Sequence, residues 1–115
     1  MFKHFILLTL LTFSFVSYGD SPTIKNYQKN KTNGTYDLYV YGLESGLEWA
    51  QEYTFAKHSL EFFCKPNDLT LSAAQLKALI NKEIEENKSF YTKYSDAPLI
   101  GLALRNAYIS NFPCN

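Results

Sequence analysis

The two cysteines of this chain, Cys64 and Cys114, constrain its fold more than any other feature. A chain of 115 residues has room for one domain, and small exported domains often supplement a limited core with a disulfide. Two cysteines allow a single pairing within the chain. Closing residues 64–114 into a loop would stabilise the fold by about 4 kcal/mol, out of the roughly 5–15 kcal/mol typical of a domain. The sequence therefore predicts a Cys64–Cys114 disulfide.

The N-terminus predicts export to an oxidising compartment. Lys3 precedes an apolar stretch at 5–16, and the small residues Ser17 and Gly19 follow it. This is the order of regions in a secretory signal peptide, and the apolar run is about 12 residues long, against roughly 20 for a transmembrane anchor, which is the alternative. We interpret residues 1–19 as a cleaved signal peptide, 20–35 as a flexible lead-in with room for a short helical turn, and 36–115 as the folded domain. The predicted location is the periplasm, with no membrane attachment after cleavage.

The charge balance argues against nucleic-acid binding. Eleven basic residues match eleven acidic ones, so the formal net charge is zero. Binding to phosphates requires a basic surface. The apolar content of 46% is enough to build a core.

Helical periodicity dominates the folded part. Apolar residues recur at spacings of three and four from Tyr36 to Phe63, which predicts an amphipathic helix of roughly 25 residues. Two alternatives stay open: the helix is broken near residues 53–54, or residues 36–41 form an extended strand instead of its first turns. Pro66 ends this helix, because proline lacks an amide proton and disfavours helical angles in the residue before it.

Two further helices follow. Ser72 and Gln75 form a capping-box pattern that starts the second. Its predicted buried stripe is Leu76, Leu79, Ile80 and Ile84, and Glu83 falls on the same side. A last helix begins near Pro98, and its wide apolar arc predicts a central position. The predicted fold is a small all-α domain of three to five helices, stapled by one disulfide.

Two glycines in the first helix predict a packing face. Gly42 and Gly46 are four residues apart and share one side. Each glycine costs about 1 kcal/mol relative to alanine inside a helix, and close approach of another helix or a partner chain would offset that cost. Together with Trp49 they form a candidate helix-packing or dimer face. The alternative is a helix that starts only at Leu43.

The sequence shows no set of residues suited to catalysis. His58 is the one histidine after the leader, and it stands six residues before Cys64, so on a continuous helix the two side chains point apart. Motifs for zinc and for phosphate loops are missing from the sequence. We predict no catalytic residue, no metal and no cofactor. A small secreted hydrolase using Cys64 or Cys114 as nucleophile is the competing hypothesis.

Three stretches in fixed order resemble one known family. "VYGLESGLEWA", "FFCKPNDLTLSAAQLKALINKEIEEN" and "PLIGLALRNAYISNFPCN" resemble the Rap/Tai family of immunity proteins over roughly residues 38–115. The shared pattern is a Gly-x-x-x-Gly helix, an aromatic-Cys-x-Pro turn, a Ser-x-x-Gln-Leu helix start and a closing aromatic-Pro-Cys. The segment 87–95 departs from the family, which often has a proline there.

The resemblance implies a periplasmic, helical protein that inhibits a peptidoglycan amidase effector delivered by a type VI secretion system. Such effectors are cysteine peptidases, so the nucleophile belongs to the partner. Members are often dimeric, which leaves a homodimer open here. A small periplasmic stress protein or chaperone is the alternative function.

Physical grounds suggest two candidate effector-binding patches. Aromatic residues in the polar segment 87–96 are either tucked onto the core or presented to a partner, and aromatic anchors are enriched in binding hot spots. The first patch therefore comprises Phe90, Tyr91, Lys93, Tyr94 and Asp96. The second is the turn formed by Lys65, Asn67 and Asp68.

Overall fold

The protein is an all-α domain stapled by one disulfide. The computed structural model describes residues 21–115, so the predicted signal peptide, 1–19, lies outside the described residues. The helices are α1 (Ile24–Lys29), α2 (Asp37–His58), α3 (Ala73–Glu86), α4 (Lys88–Lys93) and α5 (Ile100–Asn111). Residues 21–115 contain no strand, so the extended reading of residues 36–41 is wrong. The predicted fold class and the Cys64–Cys114 disulfide are confirmed. None of these five helices is both long enough and apolar enough to cross a bilayer.

The core lies between α3 and α5, which α2 crosses from one side. The last helix packs against both α3 and α2, so it is central, as predicted, and its buried residues recur at spacings of three and four along one face. These are Ile100, Ala103, Leu104, Ala107 and Tyr108. From α3, Leu76, Ile80 and Ile84 complete the layer, which confirms three of the four residues of the predicted stripe; the fourth, Leu79, is half-buried against the core.

The start of α3 has the predicted capping box. Ser72 Oγ accepts a hydrogen bond from the Gln75 backbone N–H at 3.2 Å, and Gln75 Oε1 accepts one from the Ser72 backbone N–H at 2.9 Å. Two amides that the helix itself leaves without partners are satisfied in this way.

Helix α2 differs from the prediction at its C-terminus. It continues through Thr54 without a break and ends at His58, well before Pro66. Ser59 follows in the left-handed region, with φ 54°. The next residues leave helical geometry because the Gln51 side chain satisfies their backbone: Gln51 Oε1 accepts from the N–H groups of Phe62 and Phe63, at 2.8 and 2.9 Å, and Nε2 donates to Phe63 O. We call residues 59–64 the clasp loop.

The predicted lead-in, residues 20–35, contains the short helical turn for which the sequence left room, but this turn packs on the core, so the prediction that the segment is flexible is corrected. Residues 24–29 form α1, and Ile24 and Tyr27 are fully buried in the core. The Ile24 backbone N–H donates to Ala97 O at 3.1 Å, and the Tyr27 hydroxyl donates to Asn81 Oδ1 at 3.0 Å. Two apolar side chains three residues apart are enough to dock an otherwise polar segment. The packed domain therefore starts at α1 and not at Tyr36.

Candidate functional site

The disulfide closes the clasp loop onto the end of α5. Cys64 and Cys114 are joined with their Cα atoms 5.0 Å apart, and the Cys64 backbone N–H donates to Phe112 O at 2.7 Å. Both cysteines are exposed. A sulfur bonded to another sulfur has no thiolate, so neither cysteine acts as a nucleophile in this state.

One group of metal-ligand residue types occurs within residues 21–115, and it surrounds this disulfide. Glu61 lies beside Cys64 and Cys114, with Oε2 2.8 Å from Cys64 Sγ. Disulfide sulfurs carry no proton and are not thiolate ligands. The contact is therefore neither a hydrogen bond nor the basis of a metal site.

Helix α4 presents two aromatic rings to solvent. Phe90 and Tyr94 are 42% and 44% exposed, and their ring centroids lie 5.1 Å apart. Lys93 extends its ammonium over the Tyr94 ring, 5.4 Å from the centroid. We call Phe90, Lys93 and Tyr94 the aromatic surface. Asp96 is exposed just beyond it. The structure thus brings together three of the five residues predicted for this patch, Phe90, Lys93 and Tyr94.

Tyr91, the fifth residue, faces the opposite way. It is buried, and its hydroxyl donates to Glu83 Oε2 at 2.8 Å. Asn87 Nδ2 donates to the other carboxylate oxygen at 3.1 Å. Burial and the adjacent Glu83 raise the pKa of Tyr91, so the phenol stays neutral and keeps its proton. Tyr91 therefore anchors α4 to α3, and its predicted role in direct contact with a partner is corrected to one of support. Its ring meets Phe90 edge-on, at 5.0 Å between centroids.

The turn at residues 65–68 is only partly available to a partner. The Lys65 side chain is 7% exposed and forms an ion pair with Glu48 at 3.1 Å, while its ammonium also donates to Leu69 O. Burial and the neighbouring Glu48 raise the pKa of Glu44, which lies 4.0 Å from the same ammonium. The Lys65 ammonium thus binds groups of its own domain, and the prediction that it contacts an effector is corrected. Asn67 and Asp68 remain exposed.

The glycine face of α2 is open. An added Cβ at Gly42 or Gly46 would meet nothing within 4 Å in the described chain. Close packing of another helix of the same domain over these glycines is therefore excluded for residues 21–115. Trp49, on the same side of α2, is 70% exposed. The alternative helix start at Leu43 is also wrong, because α2 begins at Asp37.

No protein family, no curated protein and no solved structure matches this chain. The surfaces described above are therefore the basis for any functional conclusion.

Sequence reasoning missed one exposed apolar group. Phe55, Leu60 and Phe62 are each more than half exposed, around the end of α2 and in the clasp loop. The helical pattern predicted Phe55 and Leu60 to be on the buried stripe. Only Phe63 from this region is buried, where its ring packs edge-on to Tyr108 at 5.0 Å. A "Phe-Phe" pair immediately before a Cys-x-Pro turn was the available signal, since adjacent residues of an extended segment face opposite ways.

Proposed function

We propose that this protein is a periplasmic immunity protein of the Rap/Tai type, which binds and inhibits a cognate peptidoglycan amidase effector of a type VI secretion system. The observation that carries the proposal is the aromatic surface on α4, where two exposed rings are held in contact on a buried support. The order of motifs along residues 38–115 and the exposed disulfide support it.

The aromatic surface suits insertion into a cleft. Phe90 and Tyr94 are one helical turn apart, so both rings project from the same side of α4. Aromatic side chains offer a large contact area, and binding costs less entropy when they are already ordered. The Tyr91–Glu83 hydrogen bond provides that order, because it fixes the helix that carries both rings.

Inhibition would work by occlusion. A cysteine peptidase that cuts cell-wall peptides needs an open groove for an extended substrate. Two rings placed in that groove, with Lys93 and Asp96 at the rim for polar contacts, would exclude the substrate without any chemistry in the inhibitor. Exposed Asn67 and Asp68 are candidates for a second contact.

Co-expression with the product of the neighbouring gene tests the proposal. We expect the two proteins to copurify through size exclusion, and this protein to prevent cell-wall lysis when the partner is directed to the periplasm. If the neighbouring product neither binds this protein nor causes lysis that this protein suppresses, the immunity function is wrong.

Alanine substitutions separate the contact residues from the support. The double variant Phe90→Ala/Tyr94→Ala should raise the Kd for the effector by about 30-fold or more, the size of a binding hot spot, with an unchanged circular dichroism spectrum. Thr92→Ala, on the exposed side of the same helix, is the matched control and should bind normally. Tyr91→Ala should instead lower the thermal midpoint. If the double variant is folded and binds the effector as tightly as the wild type does, α4 is not part of the interface.

A second candidate function is supported by three exposed apolar side chains at the end of α2 and in the clasp loop. Phe55, Leu60 and Phe62 offer exposed hydrophobic area of the kind with which a periplasmic chaperone holds unfolded clients. In that case the protein should suppress aggregation of a denatured model client, most strongly on acidification, and Phe62→Ala should reduce the effect. An immunity protein has no such general activity.

A further inference from the structure

An open cavity of about 390 Å³ lies between α1, α3 and α4. Its floor is apolar, because the buried side chains of Ile84 and Tyr91 line it. Around this floor lie three exposed lysines, two from α1 and one from α4, namely Lys25, Lys29 and Lys88. We call this the lysine cavity. Its volume lies at the lower end of the range of about 300–1,000 Å³ found for ligand sites, so it suits a small molecule.

The three lysines of this cavity are not neutralised by ion pairs within residues 21–115. Their ammonium groups donate no hydrogen bond to that part of the chain either. Lys65 and Lys77, by contrast, each contact a carboxylate of the same domain, at 3.1 and 2.8 Å. The lysine cavity therefore collects positive charges that the described fold leaves uncompensated.

The lining has a local excess of positive charge, in a chain whose formal net charge is zero. Glu85 is the single acidic residue on the lining, against three lysines, so the formal excess is two. Lys25 and Lys29 are one helical turn apart on α1, and like charges at this spacing repel each other. A concave surface lined by charges of one sign concentrates ions of the opposite sign. A bound anion would thus replace repulsion among the lysines with attraction.

We propose that the lysine cavity binds a small polyanion, which is a molecule with at least two carboxylate or phosphate groups. Lysines bind both kinds of group as point charges, and their flexible stems let each ammonium turn toward the ligand. Because the lysines come from two helices, two anionic groups are needed to engage both sides at once. The hydroxyl groups of Thr92 and Ser95, on the same lining, are hydrogen-bond donors for the ligand's oxygens. This site does not depend on the immunity function.

A polyanion in this cavity would connect α1 to α4. Two backbone hydrogen bonds already join the start of α1 to the segment after α4: the Ile24 N–H donates to Ala97 O at 3.1 Å, and the Lys25 N–H donates to Ser95 O at 2.9 Å. A ligand held by lysines of both helices adds a link at the other end of α1. Because this link exists only in the folded protein, the ligand should stabilise the domain by mass action.

Thermal unfolding with two polyanions tests the site. One arm contains inorganic pyrophosphate and the other contains citrate, and each is compared with sodium chloride at the same ionic strength. We expect the thermal midpoint to rise by about 10 °C at a ligand concentration 100 times the Kd. A larger rise with pyrophosphate assigns the cavity to phosphates, a larger rise with citrate assigns it to carboxylates, and equal rises support a site open to both. If neither arm exceeds sodium chloride, the proposal is wrong.

Substitutions distinguish the cavity from the overall charge of the protein. Lys29→Gln/Lys88→Gln removes one lysine from each helix and should raise the Kd for the stronger ligand, measured by isothermal titration calorimetry, by about 10-fold or more. The matched control, Lys31→Gln/Lys57→Gln, changes the net charge equally at exposed sites outside the cavity and should leave the Kd within about 2-fold. Glu85→Gln should lower the Kd by about 3-fold, because it removes the negative charge from the lining. Equal weakening by the two double variants would mean that the anion responds to net charge alone, which contradicts a site in this cavity.

Discussion

The double variant Cys64→Ser/Cys114→Ser is expected to lose about 2–5 kcal/mol of its free energy of unfolding, because the disulfide closes a long segment of the unfolded chain. The loop runs over residues 64–114 and includes α3, α4 and α5, so most of the core lies within it. Without the disulfide, the unfolded chain regains the conformational freedom of that whole segment. For a domain with a total stability of roughly 5–15 kcal/mol, this loss is a large fraction.

The folded state loses a constraint at the same time. The disulfide holds the clasp loop beside the end of α5, where Phe63 and Phe112 both pack edge-on with Tyr108, at 5.0 and 5.2 Å between ring centroids. The Cys64 N–H···O bond to Phe112 is the one backbone link at this point. We expect this corner to fray first when the covalent link is absent.

Urea unfolding followed by far-UV circular dichroism measures the effect. The wild-type protein in excess reductant is the matched control and should unfold at the same urea concentration as the double variant. The double variant itself should not respond to reductant. An unfolding midpoint in the double variant equal to that of the oxidised wild type would show that the core alone stabilises the fold.

Local signals in the sequence predicted the parts of the fold that depend on near neighbours. The capping box joins residues three positions apart, Ser72 and Gln75, so its geometry follows from the pattern alone. The stripe of α3 is likewise a property of one helix. Glu83 shares the helical phase of Ile80, but as a carboxylate it was left out of the predicted buried stripe; it is nevertheless buried, where the Tyr91 hydroxyl donates a hydrogen bond to it.

Contacts between distant segments decided the features that the pattern did not predict. Lys65 looked like a free charge in a turn, yet Glu48, seventeen residues earlier, binds it. Helix α2 looked continuous to the cysteine, yet the Gln51 side chain offers the backbone at Phe62 and Phe63 an alternative to the helix. In both cases one side chain from another segment outweighs the local propensity.

On the aromatic surface, too, the local sequence predicted one part and a contact with another helix decided the rest. Composition predicted that the aromatic residues of α4 matter, but it left open which of them face solvent. The direction of a six-residue helix is set by its contacts, here the hydrogen bond from Tyr91 to Glu83. Once that bond fixes Tyr91 inward, Phe90 and Tyr94 are left outward together.

The second large effect is expected at Tyr27, in the segment whose composition suggested a flexible lead-in. Tyr27→Ala should lower the free energy of unfolding by about 3–5 kcal/mol, the usual cost of removing a buried aromatic ring. The side chain is completely buried, its ring stacks near Tyr36 at 6.3 Å between centroids, and its hydroxyl reaches Asn81 on α3. Burial raises the pKa of this phenol, so it remains a neutral donor over the whole range of ordinary pH.

Two companion variants divide this effect into its parts. Tyr27→Phe keeps the ring and removes the hydrogen bond to Asn81, and it should cost about 1 kcal/mol. Lys29→Ala lies at the exposed end of the same short helix and should change stability by less than about 0.5 kcal/mol. Chemical unfolding of all three variants, under the conditions used for the wild type, gives the comparison. If residues 20–35 were a flexible lead-in, Tyr27→Ala would unfold like Lys29→Ala. A cost several times larger would instead show that α1 is a structural part of the domain, and that removing it exposes the core between α3 and α5.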